Sequence, residues 1–186
     1  EFLLDSHRTL MNEFPNLQLW LAPRHPDRFE SVGSVVTQRG FTLARWSRLK
    51  PHAPSAKPNV VLIDQMGILP ELYGFADIAF VGGSLRPFGG HNPLEPALAG
   101  TPVIFGQHME SQRESAEWLL NEGYGSVVTD ATTLADAVAH ELCNDARHTD
   151  RERRTAAMKA HAKGAVDRVA DDILARIAAC ATTTIC

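Results

Sequence analysis

The chain has 186 residues, of which 44% are hydrophobic and 22% charged, and it carries a net charge of −4. This is the composition of an ordinary globular protein long enough to bury a sizeable core, and its acidic balance leaves no basic footprint for nucleic acid. No apolar run reaches transmembrane length and no signal-peptide pattern is present.

Leu3, Leu4, His7, Leu10, Met11 and Phe14 recur at helical spacing, with Pro15-Asn16 as the stop. Leu17–Ala22 reads as a strand, and Pro23-Arg24-His25-Pro26 turns at its C-terminal end. A helix starting near Asp27 runs through Val32, Val35 and Val36 to Gly40, and Phe41–Trp46 reads as a second, weakly alternating strand. Ser47–Pro58 holds three prolines and little to bury, the pattern of an exposed, mobile loop. Asn59–Ile63 is an apolar strand, and Asp64-Gln65-Met66-Gly67 leads into a short helix over Ile68–Phe75. Ile78–Val81 and Val103–Phe105 are further buried strands. A helix carrying Ser115, Ala116, Trp118, Leu119 and Leu120 ends at Gly123, and Gly125–Thr129 is the last strand. Asp130 caps a helix over Ala131–Asn144. Two more helical segments follow near Asp145–Ala162 and Ala165–Ala178, and residues 179–186 read as a frayed tail.

Strands alternating with helices predict an α/β, Rossmann-like, doubly wound parallel sheet with helices on both faces, one domain over residues 1–186. Six strands in the order 3-2-1-4-5-6 are expected. Cys143, Cys180 and Cys186 are odd in number and lack C-x-x-C spacing, so they read as reduced thiols of a cytoplasmic protein. The chain opens without methionine, inside a helix, and reads as a piece of something longer, with Glu1-Phe2 as a cloning remnant.

The stretch from Asp77 to Gly106 organises the rest. Gly82, Gly83, Gly89 and Gly90 follow a buried strand, with Ser84, Arg86, His91 and Asn92 among them. Glycines free the backbone and let main-chain N–H groups approach a ligand. Asn92 is a good N-cap and Pro93 suits a first helical turn, so a helix over Pro93–Ala99 is expected to aim its positive end at the loop. That is an anion site, for which phosphate is the natural ligand; a plain tight βα connection is the alternative. Glu95 either stabilises the helix start by roughly 0.3–1 kcal/mol or accepts two hydrogen bonds from a ribose diol.

Three loops are expected to meet at the strands' C-terminal edge: Pro23–Pro26, Asp64–Ile68 and Gly83–Glu95. Arg24 is a planar fork for phosphate or carboxylate, or a solvated loop arginine. Gly67 opens a helix, or is a turn glycine. His25, His91 and His108 lie near loop ends, but no two share a helix face, so no metal site is expected.

Val81-Gly-Gly-Ser-Leu followed by Gly89-Gly-His-Asn-Pro-Leu-Glu-Pro-Ala resembles the C-terminal half of 3-deoxy-D-manno-octulosonic acid (Kdo) transferases, and the resemblance runs from Leu3 to Ala178. It implies one half of a GT-B glycosyltransferase, two Rossmann-like halves with the active site between them. It also implies that Pro23 and Arg24, Met66 and Gly67, and Asn92, Pro93, Leu94 and Glu95 bind the cytidine monophosphate (CMP) of the donor CMP-Kdo. Ile68, Gly90 and His91 complete the candidate set. Ile68 stands where the family usually has glutamate, so recognition there would fall to the main chain. The implied reaction transfers Kdo to a lipid A precursor in lipopolysaccharide biosynthesis, at the cytoplasmic face of the bacterial inner membrane, with inversion and without a metal or other cofactor. Its carboxylate base belongs to the N-terminal half, so no catalytic residue is assigned in this chain, and the acceptor would be reached through that half. Asp171-Asp172 reads as a solvated helix face. An NAD-type oxidoreductase is the competing enzyme class, against which no G-x-G-x-x-G follows the first strand. A UDP-sugar transferase or epimerase would share the fold. A non-catalytic nucleotide-binding module is a third reading, favoured slightly by Ile68.

Overall fold

The computed structural model describes residues 1–49, 57–144 and 151–164. Helices and strands alternate in the order α1 (Phe2–Met11), β1 (Leu19–Leu21), α2 (Phe29–Gln38), β2 (Leu43–Arg45), β3 (Val60–Leu62), α3 (Leu69–Leu72), β4 (Ala79–Val81), α4 (Leu94–Leu98), β5 (Val103–Gly106), α5 (Arg113–Asn121), β6 (Gly125–Val128) and α6 (Ala131–Cys143). Residues 151–164 are helical as well. Every strand pairing among the described residues is parallel, which bears out the Rossmann-like α/β class.

The strand order does not follow expectation in the first half. The strands form two three-stranded sheets, β1-β3-β2 and β4-β5-β6, so β3 lies between β1 and β2 instead of at the edge. The cause is apolarity. Val60, Val61 and Leu62 are 0–3% exposed, whereas β2 (Leu43-Ala44-Arg45) is only half-buried along its length. The strand that can be covered on both faces takes the centre.

Both sheets are covered on both faces. In the first, Val60 packs with Leu4 of α1 and Val36 of α2, while Val61 and Ile63 face Leu72 of α3. In the second, Val103 and Phe105 pack with Ala97, Ala116, Leu119 and Met158; Ile104, on the opposite face, meets Val128 and Leu134. Helix α1 serves both halves: Leu4 enters the first core and Leu3 the last one. The hydroxyl of Ser6 donates to the Ala131 carbonyl at 2.7 Å.

Helix α6 starts as predicted, with Asp130 and Thr133 in a capping box. Helix α1 ends at Met11, earlier than the proline stop, because Glu13, Phe14 and Leu17 turn on the carbonyls of Leu10 and Phe14. The helix at 151–164 returns across the second sheet: Arg154 donates to the Gly100 carbonyl at 2.9 Å, Arg151 donates to the carbonyls of Gly74 and Ala76, and the His161 ring stacks on Trp118 with centroids 4.0 Å apart. Most of the predicted Ser47–Pro58 loop, the helix over Ala165–Ala178, the tail at 179–186, Cys180 and Cys186 lie outside the described residues.

Candidate functional site

Parallel strands put their C-terminal ends on one edge of a sheet, the edge at which open α/β folds take ligands. The three loops expected to form the site leave from such ends, after β1, β3 and β4.

The loop after β4 is closed by its own main chain. The Gly90 and His91 N–H groups donate to the carbonyls of Gly83 and Gly82, both at 3.0 Å. Gly90 takes φ +76°, and a Cβ there would overlap the Met109 sulfur, so the position needs glycine for both conformation and space. These two amides are thus consumed by loop closure and are not among the main-chain N–H groups open to a ligand. The base of the loop is pinned by Ser84, which is fully buried. Its hydroxyl donates to the Val81 carbonyl at 2.6 Å and accepts the Gly106 N–H at 2.7 Å.

Helix α4 also differs from expectation. It begins at Leu94, five residues long, so Pro93 precedes it instead of opening it. Pro93 therefore takes the N-cap position expected of Asn92; Asn92 lies one residue earlier, where its Oδ1 accepts the Leu94 N–H at 3.0 Å, while its Nδ2 lies 3.4 Å from Glu95 Oε1. With that amide taken and the helix so short, the polar chemistry of this segment lies in side chains more than in a helix dipole.

Those side chains act on one another electrostatically. Arg24 and His25 of the β1 loop lie in the field of His91: burial and then the Arg24 charge push the His91 imidazole below its ordinary range, Glu95 opposing and His25 adding. Arg24, His25, His91, Asn92 and Glu95 are all exposed. Tyr73, half-buried beside α4, is pushed up to about 12 by burial and by the Glu95 carboxylate. Pro23 is half-buried next to Arg24. An arginine and a carboxylate acting on one imidazole suit a ligand with one anionic end and hydroxyls to donate.

The β3 loop contributes differently. Met66 is 56% exposed. Gly67 has φ +84° with open space where a Cβ would stand, the geometry of a turn glycine. Ile68 turns inward against the cluster of Val61, Ile63 and Leu72, so it acts as a packing residue. Asp64 accepts the Ser47 N–H at 2.9 Å and its hydroxyl at 2.7 Å. Burial raises its carboxyl, but the Ser47 hydrogen bonds and Arg45 outweigh that and hold it below the usual carboxylate range.

Sequence reasoning missed Tyr73, Ser84 and the buttressing role of Asp64. Only the Ser84 signal was present in the chain, a small hydroxyl after two glycines; the other two depend on packing between distant segments. Among the described residues no three of His, Cys, Asp and Glu gather as a metal-binding set, and no helix is long and apolar enough to cross a membrane.

No protein-family model matches the chain. It is 43% identical to the 3-deoxy-D-manno-octulosonic acid transferase of Haemophilus influenzae over 139 residues, 74% of this chain and 32% of that protein. It is 34% identical to the transferase of the same description from Bordetella pertussis over 168 residues, 90% of this chain and 38% of that one. A bifunctional glycosyltransferase/methyltransferase of Fusobacterium nucleatum is 33% identical over 152 residues, 82% of this chain and 23% of its own. The chain therefore spans between 23% and 38% of these relatives' length. Among solved structures, the C-terminal CMP-Kdo binding domain of WaaA from Acinetobacter baumannii matches with a TM-score of 0.73 at 27% identity, covering 83% of this chain and 80% of that one. Alike in sequence over most of its length and in fold over most of that domain, the chain belongs to the 3-deoxy-D-manno-octulosonic acid transferase family, in the part corresponding to its C-terminal domain.

Proposed function

We propose that this chain is the donor-binding domain of a Kdo transferase, a GT-B glycosyltransferase, and that it holds CMP-Kdo at the C-terminal edge of its sheets. The observation that carries this reading is that the loops bearing Arg24, His25, His91 and Glu95 leave from the C-terminal ends of parallel strands, with the charges of Arg24 and Glu95 acting on the His91 ring. The likeness to a CMP-Kdo binding domain supports the same ligand. Arg24 takes the phosphate through its fork, and Glu95 accepts from the ribose diol, as acidic residues do in dinucleotide folds. Pro23, Met66, Gly67, Gly90, His91, Asn92 and Leu94 shape the surface around them, supported from beneath by the buried Pro93 and by Ile68. Since Ile68 faces the core, polar recognition at the β3 turn falls to main-chain groups of Met66 and Gly67.

In the reaction, the bond from the sugar's anomeric carbon to the phosphate oxygen breaks, and charge grows on the phosphate as the sugar gains oxocarbenium character. Arg24 stabilises that developing charge, so its interaction strengthens toward the transition state. The base that removes the acceptor's proton is assigned to the N-terminal part of the relatives, beyond the stretch this chain matches. Transfer to a lipid A precursor at the cytoplasmic face of the inner membrane, without metal or other cofactor, is the activity proposed for the whole enzyme.

Calorimetric titration with CMP, using UMP and NAD as controls, tests the reading. CMP is expected to bind in preference to both. Preference for UMP would favour a UDP-sugar enzyme, preference for NAD an oxidoreductase domain, and either would overturn the proposal.

A further inference from the structure

The segment after β5 forms a second wall of the same edge. The Ser84 carbonyl accepts the His108 N–H at 2.9 Å, and the Gly89 carbonyl accepts the Ser111 N–H at 3.0 Å. Gly106 has no room for a Cβ against the Ser84 carbonyl, and the Gly90 Cα sits against Met109. Residues 106–111 are thus seamed to the glycine loop whose other side carries His91. The His91 ring lies over Gly82 and Gly83, and the next residue, Ser84, bonds His108. The two histidines flank one turn.

Their surroundings differ in charge. Around His91 stand Arg24 and His25, with the Glu95 carboxylate opposing them. Around His108 stand Glu110, whose Oε1 is 3.3 Å from Nδ1, and Gln107, whose amide nitrogen is 3.4 Å from Nε2. A carboxylate at Nδ1 draws the proton of the neutral ring to that nitrogen and leaves Nε2 as an acceptor. The His108 side chain is 27% exposed. Such a wall, with Arg113 balancing the Glu110 charge, offers acceptors to hydroxyl protons.

Resting on the nucleotide reading above, we infer that Gln107, His108 and Glu110 form a sugar-hydroxyl subsite: His108 Nε2 accepts from a hydroxyl of the donor's glycosyl group, while the Arg24–His91 wall takes the anion. His108 is then a specificity residue that distinguishes the intact sugar nucleotide from the bare nucleotide. The Gln107 amide occupies Nε2 in the free protein and yields it to the ligand.

The test titrates the protein and its His108→Ala and His108→Gln variants with CMP and with CMP-Kdo. The wild type is expected to bind CMP-Kdo more tightly than CMP. His108→Ala should leave the CMP affinity within about twofold and weaken CMP-Kdo about tenfold, the loss of one hydrogen bond to a buried ligand group. His108→Gln keeps an acceptor and should restore most of the difference. All three keep the main-chain N–H that bonds Ser84, and matching thermal unfolding checks the fold. Equal weakening of both ligands by His108→Ala, or of neither, overturns this inference and leaves the nucleotide reading standing. A wild type that binds neither ligand overturns both.

Discussion

Ser84 and Gly106 are joined by a buried hydrogen bond: the Gly106 N–H reaches the Ser84 hydroxyl at 2.7 Å, and the same hydroxyl donates to Val81 at 2.6 Å. One side chain thereby ties the ends of β4 and β5 together under the glycine loop. Ser84→Ala removes the acceptor and leaves a buried N–H without a partner, which costs about 1–3 kcal/mol. We expect a fall of several degrees in Tm together with weaker CMP binding. An unchanged Tm would show that the loop is not held from this point.

Gly90 combines a left-handed backbone with contact against Met109. Gly123 has a similar φ of +71° but open space around it. Gly90→Ala should therefore cost more than Gly123→Ala, whose penalty is the left-handed conformation alone, about 1–2 kcal/mol. Denaturant unfolding of the two variants checks this; equal penalties would mean that Met109 yields without cost.

Arg24 and Glu95 are exposed and belong to no buried ion pair. Arg24→Ala and Glu95→Ala should each lower CMP affinity by about tenfold or more, since hydrogen bonds to charged groups contribute about 1.5–3 kcal/mol. Thermal unfolding should be nearly unmoved. A variant that loses melting temperature while keeping its CMP affinity would assign that residue to structure.

Burial and Arg24 hold His91 below its ordinary 6.5, so at neutral pH the free imidazole is mostly uncharged. A bound phosphate favours the protonated ring, so binding should take up protons and tighten as pH falls. CMP titrates too, so the comparison is with His91→Asn, which should lose the part of the proton uptake due to the ring. Calorimetry in buffers of differing ionisation enthalpy measures it; identical uptake in both proteins would place His91 outside the site.

His7 is 3% exposed, its Nε2 lies 3.1 Å from the Asn59 carbonyl, and its ring meets Phe41 with centroids 5.6 Å apart. Burial lowers its pKa, the Asn59 hydrogen bond opposing. The unfolded chain therefore binds more protons below the ordinary value of 6.5. Stability from this group is complete above 6.5 and lost progressively as pH falls from there toward the lower folded value. Chemical unfolding across that range should show a slope that His7→Gln reduces.

Much of this protein is legible without coordinates. Apolar strand runs, helical spacing and the Asp130 cap are local patterns, and local propensity with burial periodicity decides them. The residues of the three loops could be named for the same reason: ligand edges in parallel sheets follow from strand direction. What the chain order could not reveal was which strand sits between which, since pairing depends on how completely a strand can be covered once neighbours are in place. Val60–Leu62 took the centre on that criterion. The fate of the Gly90 and His91 amides, the inward turn of Ile68 and the meeting of Ser84 with Gly106 and His108 likewise join segments distant in sequence. Hydrogen-bond satisfaction and close packing in the folded state settle such contacts, and the linear spacing of residues carries no record of them.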